Sequence, residues 1–211
     1  MQPRSLTLPE QILYSPAMSD RSEDKGVHVA ALGVYEYHRH GQLIRVELEP
    51  GASYPSVANC HQVPCHRTIH FKDGVVHRDH DLPAIEDEDG DCQWYQHGYW
   101  HRDGDRPACV RSDGFLQWRK YGLLHRDHDQ PASVTDDRQA WWWRGYPHRL
   151  AGPATIDCAG QTWLQWKQLH REDGPAIEYT GKIEYYLRDH LFQSEADWRK
   201  ALPEKRFRRG S

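Results

Sequence analysis

Near-copies of one short motif recur along the chain between His77 and Ala176. HRDHDLPA begins at His77, HRDGDRPA at His101, HRDHDQPA at His125, HRLAGPA at His148 and HREDGPA at His170, so the starts fall 24, 24, 23 and 22 residues apart. A near-constant period of this length means that one small supersecondary unit is reiterated, and that each unit buries its apolar face only against its neighbours. A chain of 211 residues built this way is one short repeat array rather than two large independent domains.

Other positions keep the same period. Gly74, Gly98, Gly122 and Gly145 stand three residues before the His of their units, and Trp94, Trp118 and Trp141 stand four before the Gly. In the fifth unit Lys167 replaces the Gly while Trp163 keeps its place. Asp89-Gly90 and Asp113-Gly114 follow Pro83 and Pro107 by six residues, with Asp137-Arg138, Ala159-Gly160 and Thr180-Gly181 as weaker counterparts. Asp-Gly between short apolar runs is a strong hairpin signal, because both central residues of the favoured turn need positive φ. Each unit therefore reads as a hairpin, with Pro83, Pro107, Pro131, Pro153 and Pro175 at strand starts and a small Ala after each to allow close packing.

Gly33, Tyr37, Gly41, Ile44 and Arg45 reproduce the spacing of an earlier unit, and the surplus before His77 falls in residues 49–68, read as an inserted loop. The organisation expected is a short helix (Thr7 to about Tyr14) and a flexible linker (15–26) within 1–26, a repeat array over 27–193, and a capping helix with a basic tail over 194–211. Ser194 is the expected N-cap of a helix over 195–202, and Trp198 and Leu202, four apart, would cover the last repeat.

The W-x3-G-x2-H-R…P-A…D-G pattern resembles the MORN-like tandem repeats, above all the phage, giant-virus and bacterial proteins that reiterate HREDGPA, present verbatim at His170–Ala176. The resemblance spans roughly residues 33–193. It implies an all-β fold, a single-layer twisted sheet of tandem antiparallel hairpins with short capping helices. It also implies binding and scaffolding surfaces, some of antitoxin type. His148-Arg149-Leu150 departs from the pattern, because no acid follows the Arg.

Leu, Ile, Val and Phe together make up 37 of the 211 residues, so a folded core must draw on the nine Trp and eleven Tyr. No run approaches the roughly 20 apolar residues that span a bilayer. The first residues lack a basic-then-apolar leader layout, and the five Cys form an odd count, so the expected setting is the reducing cytoplasm. A net charge of -4 argues against a dedicated nucleic-acid binder, and the basic tail at Lys205, Arg206, Arg208 and Arg209 reads as a solubilising end.

Three groups of residues invite a chemical reading. A His-Arg-Asp triplet in successive units is what a structural repeat requires, whereas an active site needs one constellation, so no catalytic residue and no enzyme is expected. The triplets read instead as turn closures that bond backbone groups or a neighbouring unit's acid. The pairs Asp79/Asp81, Asp103/Asp105 and Asp127/Asp129 could align for a hard cation, against the plainer reading of turn acids neutralised by Arg78, Arg102 and Arg126. Cys60, His61, Cys65 and His66 are zinc-competent types within seven residues, but the usual second pair downstream is absent and 15 His make proximity by chance easy. No resident cofactor is expected, zinc in this loop being the exception to test.

Trp141-Trp142-Trp143 matters because successive strand residues face opposite ways. With Trp141 and Trp143 joining Trp94, Trp118 and Trp163, Trp142 falls on the other face with Tyr95 and Arg119, types enriched at interface hot spots. Glu86, Asp87 and Glu88, with Asp89 and Asp91, form an acidic run astride a turn, either solvated or steering a basic partner. The leading expectation is a protein-binding module that neutralises or scaffolds a partner protein. The alternatives are an aromatic repeat that binds a small ligand or carbohydrate, and a zinc protein using the Cys60–His66 loop. The sequence leaves the partner's identity and the oligomeric state open.

Overall fold

The computed structural model describes residues 24–29, 33–40, 42–52 and 65–203. The expected N-terminal helix, Cys60, His61 and the basic tail lie outside the described residues. What is described is all-β apart from one short helix, Glu195–Ala201, and no described helix is long and apolar enough to cross a membrane. The chain divides after Gly98 into two compact units.

In the first unit an antiparallel sheet runs in the order Asp24–Val29, Val34–Arg39, Gln42–Leu48, Arg67–Lys72, Ile85–Asp87 and Cys92–Gln93. Period-two alternation sets its core: Val46 and Leu48 alternate inward, as do Ile69 and Phe71, meeting Val34, Val76 and Ile85. Each such burial is worth roughly 1.5–3 kcal/mol. Tyr35, Tyr37 and Arg45 are half-buried, with Tyr35 bonded to Glu49 at 2.7 Å and Tyr37 to Glu47 at 2.8 Å. The first strand begins at Asp24, where the sequence reading still had linker. Arg67 and Thr68, assigned to the inserted loop, already belong to a strand.

The second unit shows what one repeat is. Its antiparallel sheet orders Cys109–Val110, Leu116–Gln117, Ser133–Val134, Arg138–Ala140, Thr155–Asp157, Gly160–Thr162, Ile177–Tyr179, Lys182–Leu187 and His190–Phe192. Between successive pairs stand separate short hairpins: Arg119–Lys120 with Leu123–Leu124, Trp142–Trp143 with Tyr146–Pro147, and Leu164–Gln165 with Gln168–Leu169. Each repeat therefore carries two hairpins where the sequence reading placed one.

The turns explain the difference. At the Asp-Gly positions only the glycine is left-handed, Gly90 at φ 91° and Gly114 at φ 85°. The turn with two positive φ values sits at the Gly three residues before the His: Tyr121-Gly122 (51°, 82°) and Arg144-Gly145 (48°, 83°). In the fifth unit Trp166 and Lys167 adopt 52° and 70°, so a lysine occupies a left-handed position that favours glycine.

The Pro-Ala pairs lie just ahead of their strands. Ala84, Ala108, Ala132, Ala154 and Ala176 have no exposed surface, which leaves no space for a larger side chain. Ala132 and Ala154 each bond on both sides: their amides donate to Ala140 and Thr162, and their carbonyls accept from the Trp118 and Trp141 amides.

The His-Arg-Asp loops and the candidate interaction surface

Three of the loop histidines, His77, His101 and His125, are held at both ring nitrogens. His101 Nδ1 accepts from the Tyr121 amide at 3.2 Å, and its Nε2 meets Asp103 at 3.0 Å. His125 repeats this with Arg144 (3.3 Å) and Asp127 (3.1 Å), and His77 with His97 (3.0 Å) and Asp79 (2.9 Å). An amide N–H can only donate, so Nδ1 is unprotonated and the single proton sits on Nε2, facing the carboxylate. His77, His101 and His125 are buried. His148 accepts from the Trp166 amide at 3.1 Å, and burial lowers its pKa from the ordinary imidazole value. Rings from the next turn lie against these imidazoles, with Tyr121 stacked on His101 at 4.7 Å and Trp166 on His148 at 4.3 Å.

Arg126 and Arg149 lock their repeat to the one before. Arg126 lies over the Trp118 ring at 3.7 Å, grips both oxygens of Asp105 at 2.8 and 3.0 Å, and donates to the Pro131 carbonyl. Arg149 does the same with Trp141, Asp129 and Pro153, although Leu150 follows it where other units have an acid. The Trp indoles complete the lock: Trp118 Nε1 donates to the Asp105 carbonyl and Trp141 Nε1 to that of Asp129. In each Asp-x-Asp pair of the second unit, the first acid thus serves its own His and the second the next unit's Arg. Arg126 holds the Asp105 carboxyl below its ordinary range, and in the first unit Lys72 and His77 bring Asp79 down to about 2.

A cleft of about 190 Å³ opens between the His101 and His125 loops, but its floor is Trp118 and its walls are these same residues. Both imidazoles there are already bonded at both nitrogens, so neither offers a free general base. Among the described residues no three His, Cys, Asp or Glu side chains converge as a metal site would require.

Cys65 and His66, expected together, diverge. Cys65 is buried, and burial together with its bond to Asp89 pushes its thiol up to about 11, whereas His66 is exposed. The acidic run is not uniformly solvated. Asp87 receives a two-point clamp from Arg67 at 2.5 and 2.6 Å and its side chain is only 6% exposed. Glu86 accepts from Arg78 at 2.6 Å, and of the acids beside them only Glu88 and Asp89 are exposed.

Tyr95, Arg119 and Trp142 are all half-buried. Tyr95 packs on the first unit's core, Arg119 lies over Trp100 at 4.1 Å and bonds the Gly122 carbonyl, and Trp142 Nε1 is buried without an acceptor. Trp141 joins Trp118 as expected, but Trp143 instead meets the His125 ring edge-on at 4.4 Å.

The exposed aromatics lie elsewhere, around the short-hairpin turns. In the second unit these are Tyr99 (58% exposed), Tyr121 (66%), Tyr146 (52%) and Trp166 (56%), with Leu123 beside them. The sequence signal was the residue on either side of the Gly three before each His. These hairpins are joined in a column, since Gly122 donates to the Trp100 carbonyl, Gly145 to Leu124 and Lys167 to Pro147. Compared with family models, curated proteins and solved structures, the chain matches none.

Proposed function

We propose that this chain is a non-enzymatic protein-binding module of the MORN-like HREDGPA type, acting in the cytoplasm to hold a partner protein and neutralise or scaffold it. One observation carries the reading: Tyr99, Tyr121, Tyr146 and Trp166 stand exposed on a continuous column of short hairpins, while the residues that looked chemical are consumed in joining the units. Large rigid aromatics grouped at solvent-facing positions are the kind of side chain that dominates protein interfaces. The antitoxin-type and phage affinities rest on the resemblance of the repeat alone.

Affinity isolation of the tagged full chain from its source cells, with mass spectrometry and metal analysis of the same sample, tests the proposal. The expected result is one protein retained in stoichiometric amount and released by the double substitution Tyr146→Ala/Trp166→Ala. Recovery of the bare chain, or of a chain whose only companion is zinc, overturns it.

A further inference from the structure

Each short-hairpin turn of the second unit carries a cation beside its aromatic or apolar residues. Lys120 precedes Tyr121, Arg144 lies two before Tyr146, Lys167 follows Trp166 and Arg188 opens the last turn, and all four cations are exposed. The acid among these turn residues, Asp189, has one oxygen on the Leu169 amide at 2.6 Å. The turns of the long-sheet hairpins and the residues flanking them have the opposite balance, with Asp113, Asp136, Asp137 and Asp157 against Arg111, Arg138 and Lys182. A chain of net charge -4 thus segregates its charge by turn type.

Consecutive short hairpins are bonded backbone to backbone, Asp189 to Leu169 being the last link, so the cations and rings form one ridge. With two strands per step, neighbouring tips recur at about 10 Å. Resting on the protein-binding reading, we infer that this ridge docks an acidic polypeptide segment bearing apolar side chains. The cations steer and orient the segment, and Tyr121, Leu123, Tyr146 and Trp166 take its apolar residues. Single-stranded nucleic acid fits less well. It needs a groove that tracks the phosphate backbone, whereas these cations sit on projecting turns with Leu123 between them.

The test uses the full chain and three fluorescent probes: a random copolymer of Glu and Tyr, poly-Glu, and oligothymidylate. The copolymer is expected to bind, more tightly than poly-Glu and with an affinity that falls as salt rises. Lys120→Glu/Arg144→Glu/Lys167→Glu should weaken that binding about tenfold or more, and Asp113→Lys/Asp136→Lys should not weaken it. Circular dichroism and thermal melting verify that both variants fold. Absence of copolymer binding, insensitivity to the triple reversal, or tighter binding of oligothymidylate overturns the inference. So does sedimentation showing that the triple reversal abolishes self-association, because the ridge would then face a second copy. If the triple variant still retains a cellular partner at full stoichiometry, the binding-module reading stands and the ridge assignment falls.

Discussion

Arg126→Ala tests whether the repeat is held together by the lock between units. Its guanidinium is removed from three partners: the Trp118 face, the Asp105 carboxylate and the Pro131 carbonyl. A partly buried cation–π contact is worth about 1 kcal/mol, the bond left unmade at the carbonyl about 1 kcal/mol, and a pair with a half-exposed acid about 0.5 kcal/mol. The loss expected is therefore roughly 2–3 kcal/mol, or a fall of about 5–10 °C in Tm for a chain of this size. Urea unfolding followed by tryptophan fluorescence and circular dichroism measures it. Arg126→Lys keeps the charge but lacks the flat fork and should recover less than half of the loss. A double-mutant cycle with Asp105→Asn should return a coupling of about 0.5 kcal/mol or more. A loss below about 0.5 kcal/mol, or a lysine variant as stable as the parent, would show that the arginine decorates the joint rather than closing it.

Other substitutions probe other parts of the reasoning. Lys167→Gly should raise stability by about 1 kcal/mol by relieving a left-handed lysine, and a fall in Tm would contradict the turn assignment. Asp87→Ala should cost about 3 kcal/mol in urea unfolding, because it removes the two-point clamp on the largely buried Arg67; a negligible change would return Asp87 to the solvated run. With its thiol at about 11, Cys65 should alkylate far more slowly at pH 8 than the exposed Cys158, and mass-mapped labelling at equal rates refutes the burial. His148 has a folded pKa below its unfolded value, so its contribution is complete above the unfolded value of about 6.5 and is lost as pH falls from there through the lowered folded value. Melts from pH 8 to pH 5 should therefore show an acid loss that shrinks in His148→Gln.

The period, the Pro-Ala strand starts and the helix cap were legible because each is a local signal. Ser194 does accept from the Asp197 amide, and the Ala of every Pro-Ala pair is buried. The second hairpin was not legible, since strands such as Arg119–Lys120 and Leu123–Leu124 are too short to display period-two alternation. The tryptophan triplet misled for a related reason. Alternation holds only along an unbroken strand, and the chain leaves one strand at Ala140 and enters another at Trp142, so Trp141 separates two ladders. Asp87 was hidden by distance, because its partner Arg67 stands opposite it in the sheet register, 20 residues away.

The end of the array shows why the caps are needed. The loop histidines His77, His101, His125 and His148 each receive an amide from the following turn, whereas His170 Nδ1 is buried with no partner although the turn at Arg188-Asp189 follows it and bonds Leu169. The helix Glu195–Ala201 takes over part of the missing unit. Trp198 is buried against Tyr185 at 5.0 Å, and its Nε1 donates to the Arg171 carbonyl at 3.2 Å, in the manner of Trp118 and Trp141 on the loops before them. Arg171, whose preceding repeat reads Leu150-Ala151-Gly152 and offers no acid, instead bonds Asp173 and Glu178 beside it. A one-dimensional array is only as stable as its last interface, so Trp198 closes the column with an indole where another repeat would have placed one.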